Sequence, residues 1–250
     1  MIELKTAREL EKMKKACQIS AEAIKVAQSA LQVGVSTAYV DDKVREYIVS
    51  QGARPTFLGY GGFPKSACIS VNEELIHGIP SKNRIIKDGD IVSVDVGAFI
   101  DGYTGDNAAT FAIGNVSEEA KRLMAVTKES LLRAVEVCVP GNRIGDIGYA
   151  VQSYVEENGY SIVRDYVGHG VGKKLHEDPE VPNFGKPGHG ARLVPGMTIA
   201  IEPMVNLGRP EVEVLANDWT VVTMDRQLSA HFEYSVAITD KGPVVLTQWG

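Results

Sequence analysis

Residues Ile91 to Phe111, IVSVDVGAFIDGYTGDNAATF, decide how this chain folds. Ile91, Val92, Val94 and Val96 form a β-branched run, Asp101-Gly102 is a turn signal, and Thr110-Phe111 closes a second extended segment. The pattern predicts a β-hairpin whose arms are interrupted by Asp95 and Asp106. A two-residue loop at Asp101-Gly102 leaves the two carboxylates a diagonal pair on one sheet face, and a loop one residue earlier sets them directly opposite. Like charges held that close repel, and a pair of cations between them reverses the sign. For an isolated pair the competing reading is two solvated aspartates, so the rest of the chain has to decide.

Outward from the hairpin, the chain writes one pattern twice. Thr6 opens a first helix, with Glu9 completing a capping box. Leu10, Met13, Cys17, Ile24, Ala27 and Leu31 fall on one stripe of it, and Gly34 ends it. A second helix follows Ser36, with Val40, Val44, Tyr47 and Ile48 on one face and Gly52 beyond. Met124, Leu131, Ala134 and Cys138 stand 107 positions after Cys17, Ile24, Ala27 and Leu31. Gly141, Ile147, Val151, Tyr154, Val155 and Gly159 stand at the same offset from Gly34, Val40, Val44, Tyr47, Ile48 and Gly52. The offset carries into the strands, where Gly89, Val92, Val94 and Asp95 map onto Gly196, Ile199, Ile201 and Glu202. Asp95 and Glu202 are thus equivalent positions. The period is far too long for a solenoid. A duplicated α+β half follows, the halves running roughly 1–112 and 113–250, with their sheets joined into one and helices on one face. No Pro/Gly/Ser-rich linker separates the halves, so a single domain over 1–250 is expected.

Composition narrows the function. A net charge of −6, with acidic and basic residues interspersed, gives no basic surface for nucleic acid. The N-terminus MIELKTARELEKMKKAC is charged throughout and lacks the apolar stretch of a signal peptide, and no apolar run reaches membrane-spanning length. Cys17, Cys68 and Cys138 are odd in number, widely spaced and without CxxC pairing, and read as reduced thiols filling a core. A cytoplasmic protein is expected.

The candidate ligands are Asp95, Asp106, Glu202, Glu233 and His169. Glu202 ends the strand Met197–Ile201 before Pro203, Glu233 leads into Val236-Ala237-Ile238, and His169 follows an extended run from Ser161 to Val167. Glycines on both sides of His169 let the backbone approach a ligand closely. One imidazole and four carboxylates form a hard, oxygen-rich set that suits Mn(II), Fe(II), Co(II) or Zn(II) in a pair better than a structural zinc. Two ions are implied because four carboxylates around one would leave excess negative charge. His77 reads as a loop residue starting a turn. His176 in LHEDP lacks a second histidine at zincin spacing, and Pro179 does not suit a helix interior. His189 looks like a surface turn, and His231 faces the same way as Glu233, either supporting the ligands from behind or, the favoured reading, partly exposed.

With these residues in hand, the chain resembles the type I methionine aminopeptidases of the bacterial, extension-free kind, which have the pita-bread fold. The resemblance rests on KSACISVNEELIHGIP, SVDVGAFIDGYTGDNAATF, GHGVGKKLHEDP, TIAIEPMV and WTVVTMDRQLSAHFEYSVAIT, in family order over essentially the whole chain. It implies that Asp95 chelates one metal, that Asp106 and Glu233 bridge both, and that His169 and Glu202 complete the other. By the same resemblance Glu202 doubles as base or proton shuttle. His77 meets the scissile amide nitrogen region, and His176 meets the carbonyl oxygen. The implied substrates are N-terminal methionyl peptides and nascent chains with a small second residue, met by a monomer in transient association with ribosomes.

Tyr60, Phe63, Cys68 and Trp219 are the implied wall of a methionine pocket, and Asn72 and Ser229 the implied site of a monovalent cation. Gly61 stands where many bacterial members have histidine, and Leu175 where some have phenylalanine. Two rivals remain. Xaa-Pro peptidases share the five ligands but usually carry an added N-terminal domain. A non-catalytic pita-bread binding protein need not retain them. Type II methionine enzymes have an insertion for which the 33 positions between His169 and Glu202 leave no room.

Overall fold

A computed structural model describes residues 1–249. Four helices lie in two pairs, α1 (Ala7–Ala30) with α2 (Thr37–Ser50), and α3 (Glu118–Glu136) with α4 (Ile144–Glu157). The predicted caps are in place: the Glu9 backbone N–H donates to the Thr6 hydroxyl at 3.3 Å, and the Thr6 N–H donates to the Glu9 carboxylate at 2.9 Å. Ser36 caps α2 in the same way. The first helix stops earlier than its apolar stripe, because Leu31 is already extended and serves as the C-cap.

Nine strands make the main sheet, numbered here in chain order. They are β1 (Arg54–Pro55), β2 (Ala67–Val71), β3 (Ile91–Ile100), β4 (Tyr103–Ala112), β5 (Gly168–Gly170), β6 (Glu177–Val181), β7 (Thr198–Ile201), β8 (Glu233–Thr239) and β9 (Gly242–Val245). The spatial order is β1-β3-β4-β8-β7-β5-β6, with β2 also on β3 and β9 also on β8, and every pairing among the described residues is antiparallel. The two halves of the chain meet where β4 pairs β8, at Glu233↔Ala108 and Tyr234↔Asn107. Two three-stranded sheets flank this layer. This is the pita-bread α+β architecture. The run Ser161 to Val167 is less regular than expected: only Ser161–Ile162 is strand, held by the short sheet with Met204–Asn206.

The sequence offset recurs in the geometry. Both ends of α4 fall 107 positions after those of α2, and the isolated bridges Ser36↔Ile85 and Arg143↔Arg192 are related by the same shift. Gly89 and Gly196 each adopt φ of +92°, a conformation that only glycine takes without strain.

Alternation along β3 and β4 separates two environments. Val92, Val94 and Val96 point into the core beneath the helices, with Ala16, Ile19 and Ala23 of α1. Asp95 points to the opposite face. On β4, Gly105 lies against α1 so closely that an added Cβ would sit 2.4 Å from the Cys17 Cα, while Asp106 turns to the other side. The helices cover one face of the sheet, and a cavity of about 970 Å³ opens on the other.

Candidate active site

The hairpin register is Ile100↔Tyr103, so the loop is the two residues Asp101-Gly102. Asp95 lies opposite Ala108 and Asp106 opposite Gly97, the diagonal arrangement. Glu233 also pairs Ala108, from the far side of β4. Glu202 follows β7 one step past the Ile201↔Tyr234 pair, and His169 pairs Ala200. In the order β3-β4-β8-β7-β5, five adjacent strands therefore each bring one residue to the cavity floor: Asp95, Asp106, Glu233, Glu202 and His169.

The ligating atoms of Asp106, His169 and Glu233 lie within 4.8 Å of one another. His169 Nε2 is 3.6 Å from Asp106 Oδ2 and 3.4 Å from Glu202 Oε1. The other ring nitrogen, Nδ1, is 2.8 Å from the Gly170 carbonyl, which can only accept. That bond places the proton on Nδ1, and burial, reinforced by His176, lowers the ring's pKa to about 4. His169 is then neutral at pH 7, with its Nε2 lone pair aimed at carboxylate oxygens. Burial raises the pKa of all four carboxyls, and the neighbouring carboxylates push Asp95, Glu202 and Glu233 up further; Asp106 rises to about 7. Asp95 Oδ1, Asp106 Oδ1 and Glu233 Oε1 are buried without a hydrogen-bond partner. Among the described residues no arginine or lysine pairs with these carboxylates; only His169 and His231 approach them. Lone pairs and acceptors converging without donors fit divalent cations, which supply the missing positive charge.

The glycines beside His169 have a different use from the one expected. A Cβ at Gly168 would meet the Ala200 carbonyl oxygen at 2.4 Å, and one at Gly170 the Asp178 oxygen at 2.2 Å. They admit neighbouring strands rather than a ligand.

The other histidines separate clearly. His77 has φ of +57°, lines the cavity and meets Tyr166 and Trp219 edge-on. His176 also lines the cavity, in an irregular loop just before β6, not in a helix. Its Nδ1 is 2.7 Å from the Tyr60 hydroxyl, and its ring lies edge-on to that of His169 with centroids 4.3 Å apart. Burial lowers the pKa of His77 to about 4 and also lowers that of His176. His189 is exposed, as expected. His231 is not partly exposed: it is 2 % exposed, with Nε2 buried 3.8 Å from Glu202 Oε2. Strand alternation gives its facing but not the layer of chain that covers it.

Phe63 and Cys68 pack in one apolar cluster with Phe57 and Leu175, and Trp219 and Ile79 close its edge. Tyr60 stands at the rim, 45 % exposed, where it serves His176. Gly61 leaves room beside Trp219: a Cβ there would touch the indole at 3.4 Å. Phe57 and Tyr166 went unnoticed in the sequence because they sit in irregular segments without periodicity. Asn72 and Ser229 are adjacent, the Ser229 N–H donating to the Asn72 carbonyl at 3.0 Å. All three cysteines are buried free thiols.

The profile of metallopeptidase family M24 matches residues 11–240. The chain belongs to this family. Within it, the chain is 55 % identical to the methionine aminopeptidase of Clostridium acetobutylicum, over 99 % of each chain. It is 50 % identical to methionine aminopeptidase 1 of Bacillus subtilis, over 99 % of this chain and 100 % of that one. The crystal structure of the Thermotoga maritima methionine aminopeptidase superposes with a TM-score of 0.98 at 46 % identity, covering 99 % and 100 % of the two chains. Another M24 structure, the prolidase of Pyrococcus furiosus, gives 0.79 at 28 % identity and is covered over only 65 % of its length.

Proposed function

We propose that this M24 enzyme is a methionyl aminopeptidase, removing the N-terminal methionine of peptides and nascent chains whose second residue is small. The observation that carries this reading is the row of five donors on five adjacent strands, set in the floor of a cavity with a Phe–Cys–Leu lining. Asp95 would hold one divalent ion, Asp106 and Glu233 both, and His169 and Glu202 the second; Mn, Fe, Co and Zn all suit the set. When bound, the ions polarise the scissile carbonyl and acidify the attacking water. Glu202 takes the proton of that water and delivers it to the leaving amine. His176 follows from its tautomer: with the Tyr60 hydroxyl donating to Nδ1, the ring proton sits on Nε2, free to bond the carbonyl oxygen as charge develops. His77, neutral at pH 7, lines the same cavity and holds the scissile amide nitrogen region. Phe63, Cys68 and Trp219 receive the thioether side chain, which suits aromatic edges and a thiol. Tyr60 closes the rim.

The duplicated halves form one catalytic domain, acting as a monomer in the cytoplasm with transient access to ribosomes. Asn72 and Ser229 mark a monovalent-cation position. Among the described residues no helix is long and apolar enough to cross a membrane. Protein stripped of metal and reloaded with Mn(II) or Co(II) is expected to cleave Met-Ala-Ser and spare an Xaa-Pro peptide. Cleavage of the Xaa-Pro peptide alone would overturn the reading in favour of a prolidase-type enzyme, and no cleavage with any metal would favour a binding protein.

A further inference from the structure

Lys5 is a lysine that the fold has buried, at 6 % exposure, in the segment preceding α1. Its ammonium pairs with the Glu177 carboxylate, the two side chains being 3 % and 7 % exposed, and also donates to the Glu3 carbonyl at 3.1 Å. Glu177 Oε1 in turn accepts the Lys174 N–H at 3.1 Å, which ties the carboxylate across the base of its own loop. The Lys5 backbone N–H donates to the Gly196 carbonyl at 2.7 Å, fixing the strap to the turn before β7. Gly172, where that loop begins, has no room for a side chain: a Cβ would meet Lys5 Cε at 2.5 Å and Glu177 Oε1 at 2.8 Å. His176 is the residue next to Glu177. It stands on an exposed loop whose other ion pairs, Lys173 with Glu3 of the strap and with Glu9 in the first turn of α1, are at the surface and hold little. Within the loop, the Gly172 carbonyl accepts the Thr104 N–H at 2.7 Å and Leu175 packs into the apolar cluster, but among the described residues Lys5–Glu177 is its one buried ion pair.

A buried ion pair is poor value for stability, since apolar residues of the same volume would serve as well or better. Removing one partner alone is severe, because it leaves a buried charge. That asymmetry suits a pair whose use is placement. We propose that Lys5 is a positioning residue for His176: through Glu177 it locks the 172–177 loop so that the imidazole keeps its Tyr60 bond and presents Nε2 to the cavity. The inference rests on the proposed role of His176 at the substrate carbonyl, and it reaches across 171 positions of sequence to do so.

The test is a cycle of Lys5→Met and His176→Ala in the metal-loaded enzyme, with Glu177→Gln as a gentler variant that keeps shape and an acceptor. Lys5→Met is expected to lower kcat on Met-Ala-Ser about ten- to a hundredfold, the scale of a misplaced catalytic group, with KM within about threefold. Glu177→Gln should move kcat in the same direction by a smaller factor. In the His176→Ala background both effects should vanish, whereas a merely structural role would subtract again. Independently of turnover, amide exchange across 172–177 should quicken in Lys5→Met and Glu177→Gln while exchange in β3 and β4 stays unchanged. Wild-type kcat in Lys5→Met, or equal losses in both backgrounds, would overturn the proposal. If the wild type cleaves no methionyl peptide, the function itself is misassigned, and the exchange result still reports on the tether.

Discussion

Three carboxylate oxygens, on Asp95, Asp106 and Glu233, are buried without donors, and this sets what each residue does when metal is absent. Asp106 titrates near 7 in the folded metal-free protein, against about 4 in an unfolded chain. Below both values the carboxyl is protonated in either state and the folded form keeps its full stability. As pH rises from about 4 to about 7 the unfolded chain sheds its proton first, so stability falls. Asp95, Glu202 and Glu233, raised in the same direction, extend the loss upward. Metal-free protein should therefore melt at a lower temperature at pH ~8 than at pH ~6, and saturating Mn(II) should flatten the slope. A metal-free melting temperature that does not fall over that interval would contradict the buried-carboxylate picture. Asp106→Ala is expected to reduce bound metal below two ions per chain, along with turnover, when metal content is measured after desalting. A variant retaining two ions and full activity would overturn the bridging role proposed for Asp106.

At the scale of elements, the decisive contact is α1 lying on Gly105, one residue before Asp106. Gly105→Ala drives a Cβ into the Cys17 backbone, so the helix or the strand must move. A loss of more than about 3 kcal/mol in denaturant unfolding is expected, above the usual range for overpacking because backbone rather than a flexible side chain is struck. Thr6→Ala, by contrast, removes two surface hydrogen bonds of the hydroxyl, from the Glu9 N–H and to the Glu9 carboxylate, and should cost about 1 kcal/mol. These elements also show what was legible in advance. Asp95 interrupts a β-branched run and Asp106 faces it across the hairpin, yet two solvated aspartates fit that stretch as well; the other carboxylates and His169 decide it, with Glu202 placed on Asp95 by the repeat. The caps at Thr6 and Ser36 are local and could be read directly. For His231 the alternative of a place beside the ligands agrees with its 3.8 Å approach to Glu202, while the expected exposure fails because period-two alternation reports a face and says nothing of what lies above it. Lys5 and Glu177 were invisible as a pair: no local pattern links positions so far apart. The strand expected from Ser161 to Val167 shrank to two residues, because β-branched composition there serves short-sheet pairing and cavity packing instead of a long ladder.

For the whole molecule, metal and fold are linked through one floor. Ions bound only by the folded state add about 2.7 kcal/mol of stability at a hundredfold excess over Kd. In a chain of this size that corresponds to a rise of roughly 5–10 °C in Tm, at about 2–4 °C per kcal/mol. Chelator-treated and Mn(II)-reloaded samples compared by calorimetry should differ by this amount, and coincident melts would mean that the five residues do not bind the ion in the folded state.

The row of donors across five strands has a consequence for synthesis. No two of them share a strand, and in sequence they run from position 95 to position 233. The spatial middle of the row, β8, is also the last of the five strands to be made, and it alone joins β4 to β7. Until Glu233 has emerged, Asp95 and Asp106 belong to a sheet with nothing across from the β4 edge, and His169 and Glu202 to a separate fragment. A chain arrested before β8 therefore lacks Glu233 and the strand that brings the other four donors together, so closing the sheet and completing the donor row are one event.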